Sequence, residues 1–237
     1  MFNWHRITLS QTNCYILKAK DGFMLVDCGN AHDKETFLKS IQALGVDIAE
    51  MRYLFLTHHH NDHVGLLNDL VSMNPNVKVI LSKKCAAYLE AGRHYNHPKQ
   101  KYAHSMLRLV VEIFAKLNGG FSEEFTPYVV RSQDIVIPED NDTLLPELGI
   151  QGKILGTPGH TEDSISLIMG DVAFVGDAVR NLVPALGAAY LPFLLYDPET
   201  CYASWLKITA ETKMICPAHG KCFEAEKLRK RLRSTKS

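Results

Sequence analysis

The sequence predicts an α/β fold in which two β-sheets pack together and helices lie outside. Three observations carry that expectation. Short strand-like runs cluster in two groups, one in the first third of the chain and one from Tyr128 onward. Helical patterns lie between and after those groups. No internal repeat, low-complexity stretch or linker interrupts the 237 residues, so residues 1–237 are expected to form one domain.

The elements follow in order. ITLS, CYILKA and GFMLVDCG read as three strands, the last ending at Gly29. A helix follows, with Phe37, Leu38, Ile41 and Leu44 on one face and Gly45 as its stop. MRYLFLT is a short buried strand that delivers the chain to His58. GLLNDLVSM reads as a helix and VKVILS as a strand. Residues 83–128 break the rhythm and are expected to form a helical insertion or cap. KKCAAYLEAGR is helical in character, and GRHYNHPKQ is a loop. KYAHSMLRLVVEIFAKLNGG is a long helix closed by Gly119, apolar over more than one face from Met106 to Leu117. Such a helix is buried on several sides, as extra core, as a lid or as a homodimer contact. Strands return in YVVRSQDIVIP, GIQGKILGTPGH, SISLIMG and DVAFVGD. An apolar, proline-bearing loop runs from Val179 to Tyr196. DPETCYASWLKITAET starts a helix, with Asp197 as N-cap and Pro198 in the first turn. KMICPAHG is a final strand and loop, and a last helix closes the chain.

Bulk properties limit the partners. Lys plus Arg equals Asp plus Glu, at 26 each, so no global field attracts nucleic acid or an anionic membrane. The basic KLRKRLRSTKS reads as a solvated last helix. MFNWHRITLS has no apolar signal-peptide core, and LVPALGAAYLPFLLY is too short to span a bilayer. The cysteines at 14, 28, 85, 201, 216 and 222 have no CxxC spacing. Reduced cysteines in a cytoplasmic protein, acting on a small-molecule substrate, are therefore expected.

The chemistry concentrates in THHHNDHVG, residues 57–65, which holds four of the eleven histidines. A strand ends at Thr57 and a short loop leads into a helix. Imidazole nitrogens and carboxylate oxygens ligate Zn²⁺ and similar ions. His58 and His60, on alternate positions, can face one point, and Asp62 and His63 a neighbouring one. Four ionisable groups in six positions would repel or stay unpaired without a cation. Further ligand types sit at other strand ends beside Gly or Pro: His160 in GTPGHTEDS, Asp177 in FVGDAV and His219 in CPAHG. The lone histidines His5, His32 and His104 read as surface or satisfied core residues.

HHHNDH contains H-x-H-x-D-H. With the downstream TPGHT, GDA and PAHG elements and VDCG near the start, the chain resembles the metallo-β-lactamase superfamily over residues 58–219. The resemblance implies a four-layer αββα sandwich of two mixed β-sheets with a metal site at one edge. It implies that His58, His60 and His160 hold one metal, that Asp62, His63 and His219 hold a second, and that Asp177 bridges them. Asp27 would brace the ligand loop, and His59 would point away. Two divalent ions are implied, Zn²⁺ first, with Fe or Mn as alternates. A water ionised between them would attack a carbonyl carbon or a phosphorus, with Asp62 orienting it or relaying its proton.

Departures from better-defined members narrow the expectation. An aspartate at position 177 speaks against antibiotic hydrolysis. Fewer than twenty residues follow PAHG, where glutathione thioesterases carry a helical domain. Arg180 stands where acyl-homoserine lactonases place a tyrosine. Added nuclease or flavin domains are absent, and His60 is not the glutamate of flavodiiron members. A stand-alone dinuclear hydrolase of a modest ester, thioester or lactone with an apolar portion is the leading expectation. A phosphodiesterase or phosphocholine-type esterase is the second. A single-iron persulfide dioxygenase or a non-catalytic ligand-binding member is the third. Pocket residues are expected from two segments: Arg93, His94, Tyr95 and His97, and then Arg180, Leu182, Leu186, Tyr190 and Phe193. Arg180 would meet a substrate carboxylate or phosphate.

Overall fold

The computed structural model describes residues 3–103, 108, 109, 113, 125–182 and 190–234. Numbered along the chain, the first sheet holds β1 (Trp4–Thr8), β2 (Asn13–Ala19), β3 (Gly22–Val26), β4 (Met51–Phe55), β5 (Lys78–Ser82) and β7 (Ile135–Ile137), adjacent in that order. Hairpins make its first three strands antiparallel. The crossovers through α1 (Lys34–Ala43), and through α2 (Asn61–Val64) with α3 (Leu67–Met73), make β3, β4 and β5 parallel. The second sheet has the order β13-β12-β10-β9-β8, with β8 (Gly152–Gly156), β9 (Ile165–Met169), β10 (Val172–Phe174), β12 (Met214–Cys216) and β13 (Phe223–Glu224). Its β10 and β12 are parallel and its other pairs antiparallel. Both sheets are mixed. A small ribbon pairs β6 (Lys101–Tyr102) with β11 (Leu194–Leu195).

The period-two alternation of the strands sorts the core into three apolar layers. Tyr15, Leu17, Met24, Val26 and Phe55 point between the sheets and meet Ile154, Ile165, Leu167 and Phe174. Ile16, Leu25, Leu54 and Val79 point the other way, against Phe37, Ile41, Leu67 and Leu70 and against Cys85 and Leu89 of α4 (Lys83–Ala91). Ile168, Ala173 and Ile215 cover the far face with Trp205 and Ile208 of α6 (Pro198–Glu211) and Leu228 of α7 (Ala225–Ser234). A short α5 (Leu144–Glu147) precedes β8. The layers are therefore αββα, as the resemblance implied. Asp197 caps α6 by accepting from the backbone N–H of Glu199 and Thr200.

Two expectations need correction. Within YVVRSQDIVIP only Ile135–Ile137 is a strand, because Asp134 accepts from the backbone N–H of Val79 and Arg131, the Arg131 guanidinium and the Tyr128 hydroxyl, tying the segment into a turn. The cysteines are not all reduced: Cys216 and Cys222 form a disulfide. Antiparallel pairing of β12 with β13 sets Ile215 opposite Phe223, so the next residues outward, Cys216 and Cys222, face each other with Cα atoms 4.2 Å apart. The other four cysteines are free and buried. The long helix expected from Lys101 falls almost wholly outside the described residues, and its first two residues, Lys101 and Tyr102, pair in β6 instead. Among the described residues, no helix is long and apolar enough to cross a membrane.

Candidate metal centre

Four strand ends converge at one edge of the sandwich. β4 ends at Phe55, and the buried Leu56 and Thr57 lead to His58. His60 is the N-cap of α2, whose first turn carries Asp62 and His63. The segments after β8, β10 and β12 deliver His160, Asp177 and His219. Gly176 makes the approach of Asp177 workable. Its φ is +50°, and a Cβ there would fall 2.4 Å from Thr57 Oγ1.

The donor atoms form three overlapping groups, each spanning no more than 4.8 Å: His58, His60 and His160; His58, His63 and Asp177; Asp62, His63 and His219. His60 Nδ1 is 3.0 Å from His160 Nε2, and His219 Nε2 is 3.1 Å from Asp62 Oδ2. Asp177 joins the two ends, its Oδ2 3.5 Å from His160 Nε2 and its Oδ1 3.3 Å from His219 Nε2 and 3.6 Å from His63 Nε2.

The remaining ring nitrogens are fixed from behind. His160 Nδ1–H donates to the Leu194 carbonyl at 2.6 Å and His219 Nδ1–H to the Gln11 carbonyl at 2.9 Å. His63 Nδ1–H donates to Asp27 Oδ2 at 2.8 Å. His58 Nδ1–H donates to Thr57 Oγ1, which donates on to Asp27 Oδ2 at 2.8 Å. Each bond fixes a tautomer whose free lone pair faces the cluster. Asp27 also accepts from the Thr57 backbone N–H at 2.9 Å, and it holds a left-handed φ of +57°. A non-glycine residue in that region is strained, and here three hydrogen bonds hold it.

The donor set fits a cation. His58 Nε2, His63 Nε2 and Asp177 Oδ1 are buried with no hydrogen-bond partner. Orphaned polar atoms of this kind cost free energy unless something charged or polar sits among them. The electrostatics agree. Burial opposes charge on His63, but Asp62, Asp27 and Asp177 outweigh it and raise the imidazole to about 9. A proton here stands where positive charge is wanted. Burial pushes the Asp177 carboxyl up, but Arg180, His219, His63 and His160 pull it down to about 2. Burial, reinforced by the neighbouring histidines, pushes His58 and His60 well down, leaving them neutral donors. The residues that could hold metal are therefore His58, His60, Asp62, His63, His160, Asp177 and His219.

The sequence profile of the metallo-beta-lactamase superfamily matches residues 7–219. The chain belongs to the metallo-beta-lactamase superfamily. Its relatives include the uncharacterized protein YobT of Bacillus subtilis, 22% identical over 96% of this chain and 92% of that protein. The probable metallo-hydrolase YflN of the same organism is 22% identical over 91% of this chain and 83% of its own length. Among solved structures, the superfamily protein ST1585 from Sulfolobus tokodaii superposes with a TM-score of 0.70 at 17% identity, covering all of this chain and 87% of that one. That likeness shows the shared superfamily fold.

Around the donor cluster, the expected pocket residues are placed unevenly. Arg180 is nearly buried. Its Nη2 lies 3.1 Å from Asp177 Oδ2, and its guanidinium sits 4.4 Å above the Phe193 ring. It thus faces the cluster, already engaged with one of the cluster's own carboxylates. His94 lies with its ring 4.6 Å from that of His60 and accepts from the Asn61 backbone N–H at its Nε2. His97 pairs with Glu162 at 3.4 Å and packs on Tyr196. Tyr95 stacks on Tyr88, centroids 4.8 Å apart. Tyr190 stacks instead on Phe223 against the outer core, at φ +70°. Leu182 is half-buried and Leu186 lies outside the described residues.

His59 turns away from the cluster, as expected, and finds a partner that the sequence reasoning missed. Asp163, wholly buried, accepts from its backbone N–H and from its Nδ1–H, each at 2.9 Å. The available signal was a carboxylate three residues past a ligand histidine, within GHTEDS. Thr57 was also missed, although the quoted motif begins with it.

Proposed function

We propose that this chain is a dinuclear metallohydrolase acting on a small ester, thioester or lactone with an apolar portion. The observation that carries the reading is the convergence of seven donor side chains into overlapping groups, with three of their atoms buried and orphaned. Divalent ions in such a set, when bound, supply activated water near neutral pH and polarise an electrophile. The chain's own residues do the rest. Asp27 and Thr57 hold His58 and His63 to one geometry. Asp62, the least buried carboxylate of the set at 21% side-chain exposure, has an oxygen within reach of solvent. In this reading it orients the attacking water and takes its proton. Phe193 lies under the guanidinium of Arg180, which itself reaches Asp177, and in this reading it contributes apolar surface to the substrate side.

The same neighbourhood favours acyl over phosphoryl substrates. Beyond the metal ions, cationic side chains commonly help to meet a phosphodiester's charge. Arg180 is already paired with Asp177, and His97 with Glu162. The test is metal analysis of purified protein together with a panel of p-nitrophenyl esters, thioesters and lactones, with bis(p-nitrophenyl) phosphate alongside. The expected result is about two metals per chain and turnover of the acyl compounds. Turnover of the phosphodiester alone would replace this reading with the phosphodiesterase one. One iron per chain with oxygen uptake on a persulfide would replace it with the dioxygenase one.

A further inference from the structure

His59 is the one imidazole in the HHH run that does not face the donor cluster, yet it is fully buried, and its backbone N–H and both ring nitrogens are used. Its backbone N–H and its Nδ1–H both donate to the Asp163 carboxylate. That fixes the tautomer and leaves Nε2 as a lone pair. The lone pair accepts the backbone N–H of Tyr95 at 3.0 Å. In the opposite direction, His94 Nε2 accepts the backbone N–H of Asn61, also at 3.0 Å. Two reciprocal hydrogen bonds therefore join residues 94 and 95 to the ligand loop. The turn after His160 ties the same parts together. Asp163 grips His59, and the adjacent Glu162 accepts from the Tyr88 hydroxyl and pairs with His97.

We propose that His59 is a positioning residue that docks the 92–100 loop onto the ligand loop. The docked loop places the His94 ring against His60 and stacks Tyr95 on Tyr88, so it forms one wall of the cleft beside the donor cluster. Its role in substrate binding rests on the hydrolase reading above; the docking itself does not.

Two substitutions separate the two ends of the imidazole. His59→Asn keeps a donor near the Nδ1 position for Asp163 and loses the acceptor for Tyr95. His59→Gln brings an acceptor near the Nε2 position and loses the Asp163 donor. Tyr95→Pro deletes the same N–H from the loop side without touching the buried pair. The readouts are backbone hydrogen exchange over residues 92–100, metal content after zinc loading and, on whichever acyl ester is turned over, KM and kcat separately. His59→Asn should speed exchange at the Tyr95 amide about 5- to 10-fold, the loss of one hydrogen bond. It should raise KM by a similar factor, change kcat less than about 3-fold, and keep wild-type zinc content. His59→Gln should restore slow exchange in that segment. The His59→Asn/Tyr95→Pro double variant should exchange no faster than Tyr95→Pro alone, since both changes remove one bond. Wild-type exchange in His59→Asn, or a loss of zinc with exchange unchanged, would overturn the proposal. If no ester is turned over, the hydrolase reading fails, while the exchange and zinc measurements still decide the docking.

Discussion

The donor cluster and the walls around it are built in different ways. Each cluster residue sits three to eight positions past the end of a strand, and four of the five histidines have their second nitrogen fixed by a short bond to a carbonyl, hydroxyl or carboxylate. The walls come from loops, held by ring contacts and a few hydrogen bonds and partly exposed: Tyr95 is 39% exposed, and His97 rests on Tyr196 and a half-buried Glu162. The difference teaches where the fold fixes chemistry and where it leaves room. Strand ends leave side chains little freedom because the sheets on both sides are close-packed. Loops can exchange residues without disturbing that frame.

The sharpest way to break the comparison is to remove a member of the cluster. Asp177→Ala deletes the carboxylate that spans both donor groups. It should lower kcat/KM by about a thousandfold, roughly 4 kcal/mol of barrier, and bring metal content down towards one ion per chain. Retention of two ions and full activity would mean that the groups do not work as one centre. Next in size is Asp27→Ala. It removes the shared acceptor of Thr57 and His63 without touching the donor atoms. Outer partners of this kind change metal affinity about 10- to 100-fold. Competition with a chelator measures that directly, and an unchanged affinity would reduce Asp27 to a fold residue.

Asp163→Asn tests whether the frame extends one layer further back. Burial alone would push the Asp163 carboxyl up. The His59 imidazole paired against it, with hydrogen bonds from His59 and Thr161, outweighs burial and holds the carboxyl below its usual range. A carboxyl depressed in the folded state contributes stability that is present above the unfolded value of about 3.9. That stability is lost as pH falls through the folded value. The variant should therefore lose about 2–4 kcal/mol at neutral pH, and the gap to wild type should close in acid. Urea melts at pH 7 and pH 3 read this, and a gap that stays constant would show that the charge contributes nothing.

The contrast between frame and wall also explains what was legible in the sequence. The dense run of ionisable groups in THHHNDHVG marked four of the donors, strand ends beside Gly or Pro marked the other three, and alternating apolar runs marked the two sheets. These signals are local. The Cys216–Cys222 bridge depends on the register of β12 with β13, which the spacing of two cysteines does not encode. Tyr190 looked like a wall residue because its loop is apolar, but a left-handed backbone turns it onto Phe223. Arg180 was expected to meet a substrate carboxylate or phosphate because it lies three residues past Asp177, and spacing alone does not show that its guanidinium turns back onto Asp177 itself. Side chains that meet across loops are decided by tertiary packing, and their residue types alone fit several partners.

Arg180 sits on the boundary between the two regions, and its removal should have the smallest effect of the series. Arg180→Met keeps an unbranched apolar stem to lie on Phe193 and removes the ion pair with Asp177. Arg180 is the first of the groups that hold the Asp177 carboxyl down to about 2 against burial. Without it that carboxyl rises, so a proton competes better for the oxygens that would face metal. Metal loss on acidification should then set in at higher pH than in wild type. At pH 7 the carboxyl is ionised in both proteins, and kcat/KM on a neutral ester should fall no more than about 5-fold, roughly 1 kcal/mol of barrier. A titration of metal content against pH and a comparison of neutral with carboxylate-bearing esters separate the two roles. If only the carboxylate-bearing esters lose turnover and the pH of metal loss does not move, Arg180 belongs to the wall as a reader of substrate charge. If the pH of metal loss rises and both esters slow equally, it belongs to the frame, one residue further out than the ligand set itself.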